Sequence, residues 1–86
     1  MKWNVIHVAT LAPLALQVKF ADGTAGKVQF EPSHLTDVFV TLRDPAIFNQ
    51  AYIDDGAVAW PGNLDLAPDA MYAAIKARGE WVLTLL

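Results

Sequence analysis

The dipeptide Asp-Gly occurs twice in the sequence, at residues 22–23 and 55–56, and it constrains the fold more than any other feature. Apolar residues recur at every second position on both sides of each copy. Asp-Gly tolerates the positive φ angles of a tight turn, and alternation is the period of a strand, so the combination is the strongest short-range signal for a β-hairpin. The sequence therefore predicts two hairpins.

The length of the first turn follows from the residues that it places opposite one another, because opposed residues of a hairpin share a face. A two-residue loop would set Val18 opposite Lys27 and mix polar with apolar residues on that face. A three-residue loop over 21–23 instead pairs Leu16 with Val28. It also gives its glycine the left-handed position of a type I turn followed by a bulge. We expect the three-residue loop.

The second turn has the opposite parity. A two-residue loop of Asp55 and Gly56 pairs Ile53 with Val58 on one face. Asp-Gly suits the two positive φ angles of a type I′ turn. The second hairpin is therefore predicted to be of the tight, two-residue kind.

A short helix is predicted directly after residue 44. Asp44 followed by Pro45 is typical of a helix start, because the carboxylate accepts from free amides of the first turn and proline lacks the donor that would be orphaned there. Ile47 and Phe48 then anchor the short helix to the core.

A longer helix is predicted over residues 68–78, PDAMYAAIKAR. Pro68 and Asp69 suit the first turn of a helix, and Gly79 is a typical stop.

These elements predict a single α+β domain over residues 1–86, with its core at about residues 3–79. We expect a small, mainly antiparallel sheet built from the two hairpins and an N-terminal strand within residues 3–10, with one short and one longer helix. The apolar stretch 80–86, EWVLTLL, either adds an edge strand or docks on another copy of the chain.

The composition limits the classes of function. With 55% hydrophobic and 17% charged residues, the chain is unlike a disordered segment and has apolar surface to spare for a partner. It has no cysteine, which excludes disulfides, thiolate catalysis and cysteine-ligated zinc. Its six basic residues are scattered and its net charge is −3, so we expect no direct nucleic-acid binding. No apolar run approaches the length of a membrane span, and we expect a cytoplasmic protein without membrane contact.

Residue types that carry catalysis are few and poorly spaced. Ser33 is the only serine and is followed by His34, but adjacent residues are badly placed to act as nucleophile and base. His7 is the only other histidine, and two histidines at this spacing do not predict a zinc site. Asp54 and Asp55 fall at a hairpin tip, where carboxylates are solvated. We expect no enzyme activity, no metal and no cofactor.

Large aromatic rings are frequent, with three tryptophans and two tyrosines in 86 residues. Such rings pack in cores by default, but exposed rings and arginines are typical of binding surfaces. The core is the favoured interpretation for Trp60, and both interpretations stay open for Trp81. Arg43, Trp60, Tyr72 and Trp81 are the candidate residues of an interaction or ligand surface.

The sequence resembles the bacterial family known as domain of unknown function 2442. The matching positions cover most of residues 5–75 and are Asp22-Gly23, Val38-Phe39, Leu42-Arg43-Asp44-Pro45, Phe48, the stretch from Ala59-Trp60-Pro61 to Asp65-Leu66, Pro68-Asp69 and Tyr72. The family more often has Trp-Pro-Asn-Gly where this chain has Pro61-Gly62-Asn63, so the shape of that loop is expected to differ. The resemblance implies a small α+β fold and no established activity. Some members of the family are fused to a helix-turn-helix domain or encoded beside a partner in presumed toxin–antitoxin pairs.

Two hypotheses about function follow. The first is a non-catalytic protein-interaction or regulatory module that binds a protein partner or a second copy of itself, and the resemblance extends it to one member of a toxin–antitoxin-like pair. The alternative is a small-ligand-binding domain with a pocket near Arg43, Trp60 and Tyr72.

Overall fold

A computed structural model describes residues 2–11, 14–31, 37–62 and 64–83. Within these ranges the chain forms strands, α-helices and a 3₁₀ helix, which in chain order are β1 (Val5–Leu11), β2 (Ala15–Phe20), β3 (Ala25–Phe30), the 3₁₀ helix (Asp37–Arg43), α1 (Pro45–Phe48), β4 (Tyr52–Asp54), β5 (Ala57–Trp60), β6 (Leu64–Asp65), α2 (Pro68–Arg78) and β7 (Glu80–Leu83). The predicted end of the first strand near Pro13 and the turn residue Asn63 lie outside the described residues.

The strands form two sheets. One has four strands in the order β1-β2-β3-β7, and the other has three in the order β4-β5-β6. All described pairings are antiparallel except that of β3 with β7, which is parallel. The predicted α+β class and mainly antiparallel pairing are confirmed. The two hairpins, which were expected in one sheet, contribute to different sheets.

The first hairpin has the predicted three-residue turn. Leu16 pairs with Val28, and the Phe20 amide donates to the Thr24 carbonyl at 2.7 Å across the loop. Gly23 has φ +91°, a left-handed conformation that other residues adopt only with strain. The register places Leu16, Val18, Phe20, Val28 and Phe30 in the core.

The second hairpin has the predicted two-residue turn. Ile53 pairs with Val58, and Asp55 and Gly56 have φ values of +50° and +80°. Two positive φ angles in succession define the type I′ turn, whose twist matches that of the flanking strands.

The start of β1 and the residue before it contact both turns. The Asn4 carbonyl accepts from the Ala21 amide of the first turn at 2.8 Å, and the Val5 amide donates to the Gly56 carbonyl of the second turn at 2.8 Å. Gly56 has φ +80°, which other residues adopt only with strain, and a Cβ atom there would also displace the side chain of Asn4, whose Cγ lies 2.8 Å away. The bond from Val5 to Gly56 thus links the four-stranded sheet to the three-stranded sheet.

Both predicted helices are present. The Asp44 side chain accepts from the Ala46 amide at 3.0 Å and caps α1, with Pro45 in its first turn. The longer helix α2 spans Pro68–Arg78 as predicted and ends at Gly79, which has φ +80° and donates its amide to the Ile75 carbonyl at 2.7 Å. The 3₁₀ helix before α1 was not predicted.

Aromatic rings join the two sheets inside the core. Phe30 of β3 packs edge to face against Phe48 of α1 and Trp60 of β5, with ring centroids 5.5 and 6.0 Å apart. The indole N–H of Trp60 donates to the Phe48 carbonyl at 2.9 Å, which satisfies a buried donor that would otherwise be costly. In the part of the chain that the structure describes, no buried side-chain nitrogen or oxygen lacks a partner.

Helix α2 lies close against β3 at Gly26. A Cβ atom on Gly26 would lie 2.5 Å from Cγ2 of Ile75 and 2.6 Å from the carbonyl oxygen of Gly79. The isoleucine can move, but the carbonyl belongs to the main chain at the end of the helix. Gly26 therefore sets the distance between α2 and the sheet.

Replacing Gly26 by alanine should lower the free energy of unfolding by about 1–3 kcal/mol, as expected when a packed interior is overfilled. Urea unfolding of Gly26→Ala against the parent chain measures this difference. Ala25→Ser, at an exposed neighbour in the same strand, is the matched control and should change stability by less than about 0.5 kcal/mol. Equal stability of Gly26→Ala and the parent chain would contradict the close approach.

Replacing Asp44 by alanine removes the capping oxygen of α1 and should cost about 0.5–2 kcal/mol of stability. Asp44→Asn keeps an acceptor at the same place and should retain most of that stability. Thermal unfolding of the two variants side by side distinguishes loss of the cap from loss of the charge, because only the alanine variant loses both.

Candidate functional site

Tyr72 is the candidate residue with the most complete set of contacts. It lies on α2 with its ring half-buried and packed edge to face against Phe20, at a centroid distance of 5.2 Å. Its hydroxyl donates to Oδ2 of Asp22 at 2.6 Å, across 50 positions of sequence. The residue therefore fastens α2 to the turn between β2 and β3.

Polar groups around this contact form what we term the Asp22–Tyr72 cluster, consisting of Asp22, Thr24, Tyr72, Lys76 and Lys2. Oδ1 of Asp22 accepts from the Thr24 amide at 2.9 Å, and Nζ of Lys76 donates to Oγ1 of Thr24 at 3.4 Å. Nζ of Lys2 lies 5.7 Å from the centre of the Tyr72 ring, within the range of a cation–π contact.

The hydrogen bonds of the cluster shift both titrating groups away from reactivity. The bond from Tyr72, followed by the bond from Thr24, lowers the pKa of the Asp22 carboxyl from 3.8 to about 2. The same bond to Asp22 raises the pKa of the Tyr72 hydroxyl above its usual 10.0. A carboxylate with so low a pKa is a weak base, and a phenol with a raised pKa is a weak acid. The geometry positions α2 and is poorly suited to proton transfer.

Trp81 lies in β7, where it pairs with Val28 of the neighbouring strand. Its ring is half-buried and packs against the hydrophobic core. The next residue, Val82, is 39% exposed. Trp81 thus packs partly against the core and leaves part of its side chain at the surface, so neither interpretation of Trp81 holds alone.

The other two candidates lie apart from this region. Trp60 is fully buried, at 0% exposure, and its ring contacts Phe30 and Phe48 rather than the surface. The favoured core interpretation of Trp60 is therefore correct, and its inclusion in an exposed interaction surface is not. Arg43 is exposed at the end of the 3₁₀ helix, just before the cap of α1.

Groups considered for catalysis are scattered. His7 is exposed in β1, and Asp54 and Asp55 are exposed at the second hairpin. Ser33 and His34 lie outside the described residues. No three histidine or acidic side chains converge on a possible metal position within residues 2–11, 14–31, 37–62 and 64–83. Across the same ranges, no helix combines the length and the apolar character needed to cross a membrane.

Sequence reasoning missed exposed apolar side chains on β1 and β4, two strands of different sheets that contact each other. Ile6 is 55% exposed, Tyr52 45% and Ile53 36%. We call Ile6, Tyr52 and Ile53 the β1–β4 surface. Tyr52 and Ile53 are consecutive in a strand and point to opposite faces, so apolar atoms are exposed on both faces of β4. That break in the alternation was visible in the sequence and was the available signal.

Two predictions were made for the stretch 80–86, an edge strand or docking on another copy. The structure tests them only over the first four residues. Residues Glu80–Leu83 form β7 and pair in parallel with β3, as an edge strand. The remaining residues of the stretch lie outside the described part. Parallel pairing was not expected, and it arises because α2 crosses back over the sheet before β7 begins.

The model of the family described as "Protein of unknown function (DUF2442)" matches residues 5–77. Comparisons with curated proteins and with solved structures give no match.

Replacing Tyr72 by phenylalanine should raise the pKa of Asp22 from about 2 toward 3.8, because the largest cause of the shift is removed. The folded pKa of Asp22 lies below its unfolded value, so its contribution to stability is present above pH 4, approximately, and is lost as the pH falls toward 2. Tyr72→Phe should therefore lose less stability than the parent chain over that acid range.

An NMR titration of the Asp22 carboxyl measures the pKa, and urea unfolding at several pH values measures the stability. The contribution of Tyr72 itself to stability changes at alkaline pH. Its hydrogen bond to Asp22 is lost as the pH rises above 10.0 and the hydroxyl loses its proton. Tyr52→Phe removes the other tyrosine hydroxyl and serves as the control. An unchanged Asp22 pKa in Tyr72→Phe would show that the hydroxyl is not bonded to that carboxylate.

Proposed function

The chain belongs to the DUF2442 family, and from its surface we propose that it is a non-catalytic protein-interaction module. The observation that carries the proposal is the β1–β4 surface. Exposed apolar surface that collects on contacting elements marks interaction sites, and Ile6 lies on a strand that contacts the strand of Tyr52 and Ile53. Ile6 and Tyr52 are each about half exposed, and burying such side chains against a partner is favourable at roughly 25 cal/mol per Å² of apolar area.

The charge beside this surface favours a particular kind of partner. Asp54 and Asp55 are exposed at the end of the same hairpin, next to Tyr52 and Ile53. From residue 44 onward the chain has two basic residues against six acidic ones. The complementary partner is a protein that presents apolar side chains flanked by lysine or arginine, since opposite charges at the rim steer association and set the register.

The finer form of the proposal makes the module a regulatory protein in the cytoplasm, as one member of a toxin–antitoxin-like pair. Its support is the family resemblance together with a cysteine-free composition that suits a reducing compartment. In such a pair the exposed apolar side chains of the module would be covered by the second member.

The alternative of a small-ligand pocket near Arg43, Trp60 and Tyr72 has weaker support. Trp60 has no exposed surface to offer a ligand, and its indole N–H is already bonded to the Phe48 carbonyl. The hydroxyl of Tyr72 is bonded to Asp22. Trp60 and Tyr72 are thus occupied by contacts within the fold.

The proposal is tested by purifying the tagged chain from its native host and quantifying co-purifying proteins by mass spectrometry. We expect one protein to co-purify in near-equimolar amount. Its contact surface should present apolar side chains flanked by lysine or arginine. In the double variant Ile6→Lys, Tyr52→Lys its recovery should fall at least about tenfold, which is the effect of losing one hot-spot contact. Because both side chains are exposed, the new lysines can reach water and the fold should persist. Circular dichroism checks that the double variant is folded.

The control is Val82→Lys, which introduces a lysine at an exposed apolar position outside the β1–β4 surface. It should retain the partner. Binding of the purified partner should also weaken as salt rises, because the rim charges are screened. A chain that is recovered alone, or a double variant that keeps its partner, would contradict the proposal.

A further inference from the structure

We propose that β7 pairs through its outer edge with β7 of a second copy of the chain, antiparallel and about a two-fold axis. The four-stranded sheet would then continue across a symmetric dimer. This inference goes beyond the proposed function, because it concerns a different surface and a partner of different chemistry.

The first reason is the position of β7 in its sheet. It pairs with β3 on one side and is last in the order β1-β2-β3-β7. Alternate residues of a strand direct their amide and carbonyl groups to its two sides. No described strand pairs with the outer side of β7, so half of its main-chain groups form an open template for another strand.

The second reason is that the two edges of this sheet differ. At the β1 edge, the Val5 amide donates to the Gly56 carbonyl of the other sheet, and the register shifts between Val5 and His7 as at a bulge. Bulges, covering segments, lysines and prolines are the usual protections of a sheet edge. Within the described residues β7 contains no bulge, lysine or proline, and apolar Trp81 and Val82 follow its charged residue Glu80.

The third reason is that the strand is compatible with its own copy. Side chains alternate between faces, so a two-fold axis perpendicular to the sheet requires one residue to lie opposite itself. Val82 pairs with Gln29 and is 39% exposed, whereas Trp81 pairs with the buried Val28 on the core face. We take Val82 as the self-opposed residue, since this joins two exposed apolar side chains across the strands.

The charges agree with self-pairing. With Val82 on the axis, the Glu80 carboxylates of the two copies lie on opposite sides of it and ~13 Å apart along the strands. The other residues of β7, Trp81, Val82 and Leu83, are uncharged, so within the strand no like charges are directly opposed. A single symmetric contact also covers the open edges of both copies, which a different partner would do for one copy only.

Sedimentation equilibrium of the purified chain at micromolar to submillimolar concentration tests the proposal. The parent chain should be a dimer. Val82→Lys and Val82→Glu should each weaken dimerisation at least about tenfold, because like charges would be opposed on the axis. An equal mixture of the two variants should restore the dimer as a mixed pair, which occurs only if residue 82 lies opposite itself.

Ile6→Lys is the matched control, since it adds the same charge to an exposed apolar residue near the other edge of the same sheet; it should remain dimeric. Circular dichroism checks whether each variant is folded. If the residue 82 variants are unfolded, the oligomeric state of the parent chain alone decides whether the proposal holds. A monomeric parent chain, a dimeric Val82→Lys or a mixture that stays monomeric would each overturn the proposal. Loss of the dimer with retention of the protein partner would separate this inference from the proposed function.

Discussion

The packing of Trp60 against Phe30 and Phe48 is the interaction on which the rest of the structure depends. Phe30 belongs to the four-stranded sheet, Trp60 to the three-stranded sheet and Phe48 to α1, so three parts of the fold meet at these rings. A buried indole N–H without an acceptor would cost roughly 1–3 kcal/mol, and the Phe48 carbonyl removes that cost. Phe48 is the last of the four residues of α1, and Asp44 caps the start of that helix. The short capped helix therefore holds the Phe48 carbonyl in place.

This arrangement determines which surfaces are left for other molecules. Trp60 is used entirely inside the fold, and Tyr72 holds α2 to the first turn, so the most chemically versatile rings of the chain are largely committed to structure. The bond from Val5 to Gly56 covers one edge of the four-stranded sheet. Among the described residues, the accessible surfaces include the apolar side chains on β1 and β4 and the outer main-chain edge of β7. Both suit protein–protein contact better than catalysis, since they offer apolar area and backbone hydrogen bonds instead of converging reactive groups.

Local signals in the sequence predicted the local structure well. The parity of apolar residues around each Asp-Gly gave the correct loop lengths, and Asp44-Pro45 and Gly79 gave correct helix limits, because each depends on a few neighbouring residues. The division into two sheets, the parallel β7 and the bond from Tyr72 to Asp22 depend on residues far apart in the chain, for which a single sequence has no signal. The roles of the candidate site residues also depend on contacts between residues far apart in the chain. Trp60 and Tyr72 were recognised as unusual, but their long-range contacts decided that one is core and the other a fastening point.

The central claim is that the aromatic contact makes both sheets one cooperative unit, and native-state hydrogen exchange tests it most directly. The account predicts that the slowest amides of β2 and of β5 open with the same free energy, equal to that of global unfolding. Opening of the β5 amides at a free energy lower by more than about 2 kcal/mol would show that the three-stranded sheet unfolds by itself, and would contradict the claim.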